Sequence, residues 1–336
     1  MRFFVLIAAG LSAMLGLAHA AEPRTLAPRE EDGDVGMRTC DNDNDRRNNP
    51  GLAGPYEIKI CYDAFIVNFA GRPTAGEPWR IPRFVAYRVE KRPTERMPSS
   101  ERPSRWFSVP ELADEGLAAD DKSYRFAKIF VDSKTDWYQR GHLAPKTLAE
   151  RHGPKAAIFS HTTANAVPQL GQFNRTGWLD LECRTGAWAQ RADDLWVVAG
   201  PVFTSSEPKE WLRAPNQTSP RAQRFGDPAR PLAVAIPDKL FKIVVRRDGE
   251  KYQALAFLFA QTDKRYSGPL KHLEAESFLE TVAHIEKLTG LQFFESVKGL
   301  RDAKALKGRA DNPGNLWPQK AADFERGCRS FAKDQS

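Results

Sequence analysis

Apolar and polar residues begin to alternate at Tyr56, in YEIKICYDAFIVNFA, and again in RFVAYRVEK, after a Gly- and Pro-containing stretch from Gly71 to Pro82. Period-two alternation bounded by turn residues predicts strands joined as a β-hairpin. Residues 92 to 124 are rich in Pro, Ser and charge, and read as a long surface connection. TDWYQRGHLAPK, residues 135 to 146, then sets Arg140, Gly141 and His142 in a short polar turn. The pattern predicts a helix around Ile158 to Gln190, a buried strand in LWVVAGPVF, and further strands in LAVAIP, LFKIVVRR and YQALAFLFA. In AESFLETVAHIEKLTGLQFF, Phe278, Val282, Ile285 and Leu288 fall at helical spacing and Gly290 is a stop signal. Strand pairs on either side of one long helix predict an α+β fold rather than a regular βαβ alternation.

The N-terminus follows another grammar. Residues 1–20 carry Arg2, an apolar stretch and an A-x-A pattern at Ala18, His19 and Ala20, which reads as a secretory signal peptide cleaved after Ala20. The other reading is an uncleaved membrane anchor, for which the apolar stretch is short. No later segment is long and apolar enough to span a bilayer. The expectation is an exported protein, periplasmic or secreted, with no membrane attachment in its mature form.

Residues 21–54 read as a polar N-terminal extension, and residues 55–336 as a single domain. Within the extension, CDNDNDRRNNPG begins like a calcium loop, with Asp41, Asp43 and Asp45 alternating. It fails as one, because Arg46 stands where the turn glycine belongs and Leu52 where the bidentate glutamate belongs. It is expected to be a solvated loop. Export changes the meaning of Cys40, Cys61, Cys183 and Cys328, because thiols of even number pair in an oxidising compartment. Three connectivities exist, and the sequential one, Cys40 with Cys61 and Cys183 with Cys328, is the simplest. The absence of a C-x-x-C spacing argues against structural zinc.

A chain of 336 residues with 41% hydrophobic content can bury a sizeable core. Its formal net charge of +7 fits a polyanionic partner, although a solvated basic face gives the same balance.

Hydrolysing a phosphodiester needs a group to activate water, cations on the phosphate and donors that accept growing negative charge. His142 titrates near neutrality and Arg140 can reach a phosphate oxygen. NAVPQLGQFNRTGWLDLE adds Asn165, Asn174 and Glu182. On a helix, Asn174 and Glu182 are eight residues apart, about 80° in direction and two turns along one side.

QRGHLAP, TTANAVPQLGQFNRTGWLDLE and VVAGPVF, in that order and spacing, resemble the DNA/RNA non-specific endonucleases, the ββα-metal (His-Me finger) group. The earlier FVAY and the later HIEKLTGLQFF extend the resemblance over about residues 55–295. It implies a central antiparallel sheet flanked by helices, and a Mg2+-dependent enzyme, with Mn2+ able to substitute, that cleaves DNA and RNA to 5′-phosphate and 3′-hydroxyl ends. His142 is then the general base, Asn174 the protein ligand of one magnesium, and Glu182 an acceptor orienting a water on the metal. Arg140 and Asn165 would bind phosphate or shape the site. Arg105, in RPSRWF, is the choice for an upstream arginine that stabilises the transition state, with Arg102 next. One neutral asparagine oxygen can suffice because magnesium keeps most of its waters.

The family motif reads Asp-Arg-Gly-His, whereas Gln139 stands in the aspartate's place here. Glutamine keeps an acceptor but loses the charge, so Gln139 is expected to support the loop. The alternative is an exported basic module of the same fold that binds nucleic acid or an anionic surface with little or no catalysis. His161, in SHTTAN, reads as structural; a homodimer and a protein inhibitor are both left open.

Overall fold

A computed structural model describes residues 23–27, 36–71, 78–94, 100–124, 137–213, 232–261, 278–297, 299–301, 304–305 and 315–328. The expected signal peptide, residues 1–20, lies outside them.

Strand-forming residues recur at every second position through much of the chain, and they assemble into one nine-stranded sheet. Its strands are β1 (Arg24–Thr25), β2 (Met37–Arg38), β3 (Ile58–Tyr62), β4 (Ile66–Phe69) and β5 (Pro82–Arg88), followed later in the chain by four more. Between β5 and the rest of the sheet the chain makes a separate two-stranded ribbon, β6 (Tyr138–His142) and β7 (Ala166–Leu170). The sheet resumes with β8 (Asp194–Val202), β9 (Lys239–Asp248), β10 (Lys251–Ala260) and β11 (Leu279–Glu280). The spatial order is β1-β3-β4-β5-β8-β9-β10-β11, with β2 also on β3. Every pairing is antiparallel except that of β1 with β3. The hairpin expected from Tyr56 onward is therefore the three-stranded run β3 to β5.

Alternation along β9 divides the core into two layers. Phe241, Ile243 and Val245 point to one face, where they pack with Val282 and Ile285 of a short helix, α4 (Val282–Thr289). Leu240 and Val244 point to the other face, against Trp178, Leu181 and Trp188. Lys242 lies between these two in the same alternation and is fully buried. The α4 helix starts four residues later than Phe278, because the Thr281 side chain caps it by accepting from the His284 backbone N–H. Leu279 and Glu280 pair with β10 instead. Gly290 ends it in the left-handed region, φ +67°.

Three sequence expectations change. The single helix around Ile158 to Gln190 is broken: α2 (Pro154–Phe159) stops before His161, and β7 intervenes. Pro168 gives the reason, since in a helix interior it would remove a hydrogen bond and clash with the preceding turn, whereas a two-stranded ribbon tolerates it. QRGH is not a turn but the end of β6, with Gly141 opposite Val167 and His142 opposite Ala166. The described residues of 21–54 are not a solvated extension. β1 and β2 join the sheet, and CDNDND contains a helix, α1 (Asn42–Asn48), capped by Asp41. Asn44 and Asn48 are buried, and Asn44 donates to the Tyr62 carbonyl at 3.1 Å. The Cys40–Cys61 disulfide fastens this segment to β3, and Cys183–Cys328 also forms.

Candidate active site

The ribbon leads directly into a further helix, α3, which runs through Gly171–Phe173, a π-turn at Asn174–Trp178, and Leu179–Trp188. Two strands and a helix thus bring His142 and Asn174 to the same cleft, of about 480 Å³. π-turns recur at functional sites because they redirect side chains within an otherwise continuous helix. Here the turn begins at Asn174. The ribbon and helix are locked by Trp178, whose indole N–H donates to the His142 carbonyl at 2.9 Å. Gly141 has no room for a side chain, because a Cβ would overlap the buried side chain of Gln169 across the ribbon.

The cleft walls combine cations with aromatic rings. Arg102, Trp106, Tyr124, Trp137, Gln139, Arg140, His142 and Asn174 all line it. Arg140 pairs with Asp121 and lies over the Trp106 ring at 5.7 Å. Arg102 is exposed and, among the described residues, has no carboxylate partner. Arg105 is also exposed, but it does not line the cleft. The stretch 92–124, expected to be a plain surface connection, thus supplies a wall of the site. It is anchored there by paired backbone bonds, Phe107 N–H to the His161 carbonyl and Thr163 N–H to the Phe107 carbonyl.

Asn165 sits under the cleft and not in it. Its side chain is fully buried, donating to the carbonyls of Ala144 and Ser160 and accepting from the Ala144 N–H. No side-chain polar atom is left for a phosphate, so of the two roles expected for Asn165 the structure supports shaping the loop that follows His142. The His142 ring is half-buried as a residue, yet its Nε2 is closed off from solvent without a hydrogen-bond partner. Burial holds the His142 imidazole well below its ordinary range, and His161, Arg102, Arg140 and Lys146 add to the effect. That direction favours the neutral ring, the form able to accept a proton.

Glu182 is not among the residues that line the cleft. Burial pushes its carboxyl upward, opposed by the charge of Lys242. Lys242 is pushed the other way by burial, and Glu182 in turn favours its charged form. The Lys242 ammonium stands 4.1 Å from the Trp178 ring centroid and has no hydrogen-bond partner among the described residues. Sequence reasoning missed Lys242, although the alternation Leu240, Lys242, Val244 on one strand face announces a cation directed into the core.

Among the described residues no three His, Cys, Asp or Glu side chains gather as a metal cluster. The fitting donor in the cleft is Asn174. Its amide nitrogen donates to Gln139 Oε1 at 2.9 Å, which leaves its own carbonyl oxygen for another partner. A single neutral oxygen on an open wall suits a hard cation that keeps several waters and takes further ligands from substrate. Gln139 thus holds the orientation of Asn174. Gln139→Leu is expected to free that amide and raise the magnesium concentration needed for half-maximal cleavage by about tenfold, the equivalent of one lost hydrogen bond. Gln139→Asp, which keeps an acceptor, should stay close to the parent; equal magnesium curves for parent and leucine variant would exclude the role.

The sequence model of the DNA/RNA non-specific endonuclease family matches residues 45–300. The chain is 25% identical over 182 residues to the mitochondrial nuclease EXOG of Mus musculus, covering 54% of this chain and 46% of that protein. It is 24% identical over 174 residues to nuclease C1 of Cunninghamella echinulata var. echinulata, covering 51% and 63%, and 29% identical over 174 residues to a nuclease of Syncephalastrum racemosum, covering 51% and 52%. The matches span about half the length of these relatives. A solved structure, that of an EndoG/EndoGI complex described as showing the mechanism of EndoG inhibition, aligns with a TM-score of 0.55 at 17% identity, over 79% of this chain and 96% of that one. That likeness is one of fold, an α+β architecture with a large antiparallel sheet. With a family match across most of its length, and the ribbon and helix of the ββα unit in place, the chain belongs to the DNA/RNA non-specific endonuclease family.

Proposed function

We propose that this protein is an exported, magnesium-dependent endonuclease that hydrolyses phosphodiester bonds of DNA and RNA. The observation that carries the reading is the convergence of His142, Asn174, Arg102 and Arg140 on one cleft. Neutral His142 takes a proton from the attacking water. With Nε2 closed off, Nδ1 is the nitrogen that does so. Arg102 and Arg140 hold the phosphate and meet its growing negative charge, Arg140 being aimed by Asp121 and Trp106. Arg102 takes the upstream role given to Arg105 on sequence grounds, because it reaches the cleft. Asn174 would hold a divalent cation, which supplies Lewis-acid stabilisation of the phosphoryl oxygens and leaving group. Glu182 would orient a water on that cation, its carboxyl raised to about 7 by burial and drawn back toward the ionised form by Lys242.

Contacts to phosphate carry no base sequence, so cleavage without strong sequence preference follows from a wall of arginines. Two disulfides with no cysteine left over fit an oxidising compartment. Among the described residues no helix is long and apolar enough to cross a membrane. A protein inhibitor of the kind in the EndoG/EndoGI complex is a partner to test. The binding-module alternative drew its support from Gln139, and the bond from Asn174 to Gln139 gives that residue a place in a working site. Plasmid nicking by the purified chain, with and without EDTA, separates the two: binding without nicking at any magnesium concentration would leave only the module.

Lys242 gives this reading a pH signature. Its cation opposes the burial that raises the Glu182 carboxyl. Lys242→Met removes that opposition, so Glu182 ionises at a higher pH than in the parent. The acid limb of the kcat profile is expected to move to higher pH by about one unit or more, the scale of a close charge in a buried setting. A profile that keeps the parent's acid limb would remove Glu182 from the reaction.

A further inference from the structure

His161 is fully buried, and its ring meets that of His142 edge-on, with centroids 4.9 Å apart and planes at 85°. Trp106 packs on both, at 4.5 Å from His142 and 5.2 Å from His161. His161 Nδ1 lies 3.1 Å from the Ala157 carbonyl oxygen and 3.3 Å from that of Ile158. A carbonyl can only accept, so Nδ1 carries the hydrogen and donates. In a neutral imidazole the other nitrogen is then a bare acceptor. That nitrogen, His161 Nε2, is buried and has no hydrogen-bond partner among the described residues.

His142 holds the complementary group. Its Nε2 is likewise buried and unpartnered. If Nδ1 is to take a proton from water, Nε2 must carry the hydrogen. Two touching rings therefore leave one buried donor and one buried acceptor unmet, a combination that folded proteins rarely retain. Each ring nitrogen lies about 1.1 Å from its centroid, so a hydrogen bond of about 3 Å between two imidazoles puts the centroids roughly 5 Å apart. The observed separation is already of that size. What the bond requires is a turn of the His142 ring about χ2, a broad torsion in histidine, while His161 stays held by its Nδ1 bonds.

We propose that His161 is the positioning residue of the base: its Nε2 accepts the His142 Nε2–H, which fixes His142 in the tautomer whose Nδ1 is bare toward the cleft. This rests on the reading of His142 as base. Burial, together with Arg102 and Lys146, depresses the protonation of both rings, which keeps His161 Nε2 a bare acceptor and leaves His142 free to take its proton on Nδ1 while Nε2–H stays the donor. The arrangement does for His142 what a backbone carbonyl or carboxylate does for a catalytic histidine elsewhere, namely set which nitrogen holds the hydrogen.

The test begins with the tautomers of the unaltered full chain. Long-range proton–nitrogen correlation spectra of histidine-labelled protein at pH 8 should show His161 protonated at Nδ1 and His142 at Nε2. A His142 protonated at Nδ1 overturns the proposal. His161→Phe keeps a ring in the pocket and deletes the acceptor; kcat should fall about 10- to 100-fold, with KM unchanged and His142 distributed over both tautomers. His161→Gln, whose side-chain oxygen extends to the place of Nε2, should recover most of the loss. A phenylalanine variant with parental kcat, or a folded glutamine variant as slow as the phenylalanine one, overturns the role. If the phenylalanine variant does not fold, the parent's spectrum and the glutamine variant decide. A cleaving His142→Ala would overturn the reading of the base itself, whereas an inactive His142→Ala beside a fully active His161→Phe overturns only the positioning.

Discussion

His142→Ala is expected to lose roughly 10²- to 10⁴-fold in cleavage rate, the range for removing a general base, while the protein keeps its fold. Both halves of that result follow from where the residue sits. The imidazole is neutral because burial and surrounding cations keep the proton off it. No other described histidine lines the cleft to take its place. The fold survives because the strand holds on through its backbone: the bond from Trp178 reaches the His142 carbonyl, and the ladder to Ala166 uses main-chain atoms. Asn174→Ala should cause a loss of similar size for a different reason, and a distinguishing one. On the proposed reading, removal of the cation's protein oxygen would be partly offset by raising magnesium, whereas loss of the base would not. His284→Ala serves as control, because that side chain is 43% exposed and pairs with Glu280 on the opposite layer. Initial rates on plasmid over a range of magnesium concentrations, with thermal melts of each variant, check the result. Near-parental turnover in His142→Ala at any magnesium concentration would sink the site.

The residues of this site divide by how far their neighbours lie along the chain. That His142 and Asn174 meet at one cleft was legible because the ribbon and helix that join them occupy one short stretch, and the motif spans it. Gln139 was legible as a support, and its partner turned out to be the proposed metal ligand. Asn165 was open between phosphate binding and shaping, since an asparagine in sequence does not reveal that its amide will be enclosed by three backbone groups. Arg102 was ranked below Arg105 because residues 92–124 have no period from which direction can be read. Only the backbone pairing of Phe107 with the stretch at His161 decides which arginine turns inward. His161 was read as structural because its partner is a ring brought in from another strand. Strands β3, β4, β5, β8, β9 and β10 of the main sheet were legible from alternation, whereas β1 and β2 were read as extension and β11 as helix, and the same method missed β7, where Pro168 should have argued against continuing a helix.

The double variant Cys183→Ala/Cys328→Ala is expected to lose stability up to about 5 kcal/mol, the loop-entropy value for a closure spanning 145 residues. The shorter Cys40–Cys61 loop, spanning 21 residues, should contribute about 3 kcal/mol on the same model. Local geometry decides how much of the larger value is realised. Cys183 is buried on the helix that carries Glu182, and Cys328 brings the C-terminal segment onto it beside Phe324. That segment has further anchors, with Trp188 donating to the Trp317 carbonyl, Arg92 to the carbonyls of Phe324 and Ala322, and Arg151 paired with Glu325 at 2.7 Å. The Arg151 guanidinium is almost wholly buried, so releasing Glu325 would strand a charge in the interior. The segment is therefore expected to remain docked without the disulfide and to unfold with the domain, so that the entropic cost appears in global stability and not as local fraying. Urea denaturation followed by circular dichroism and by tryptophan fluorescence should give coincident transitions, shifted to lower urea with a steeper slope, because the unfolded chain without the cross-link exposes more surface. Below the transition kcat should stay near the parent's, because the ribbon fixes the site through Trp178 independently of the tail. A loss under about 1 kcal/mol, far short of the loop-entropy value, or a larger loss from Cys40→Ala/Cys61→Ala, would show that the tail is not fastened in this way.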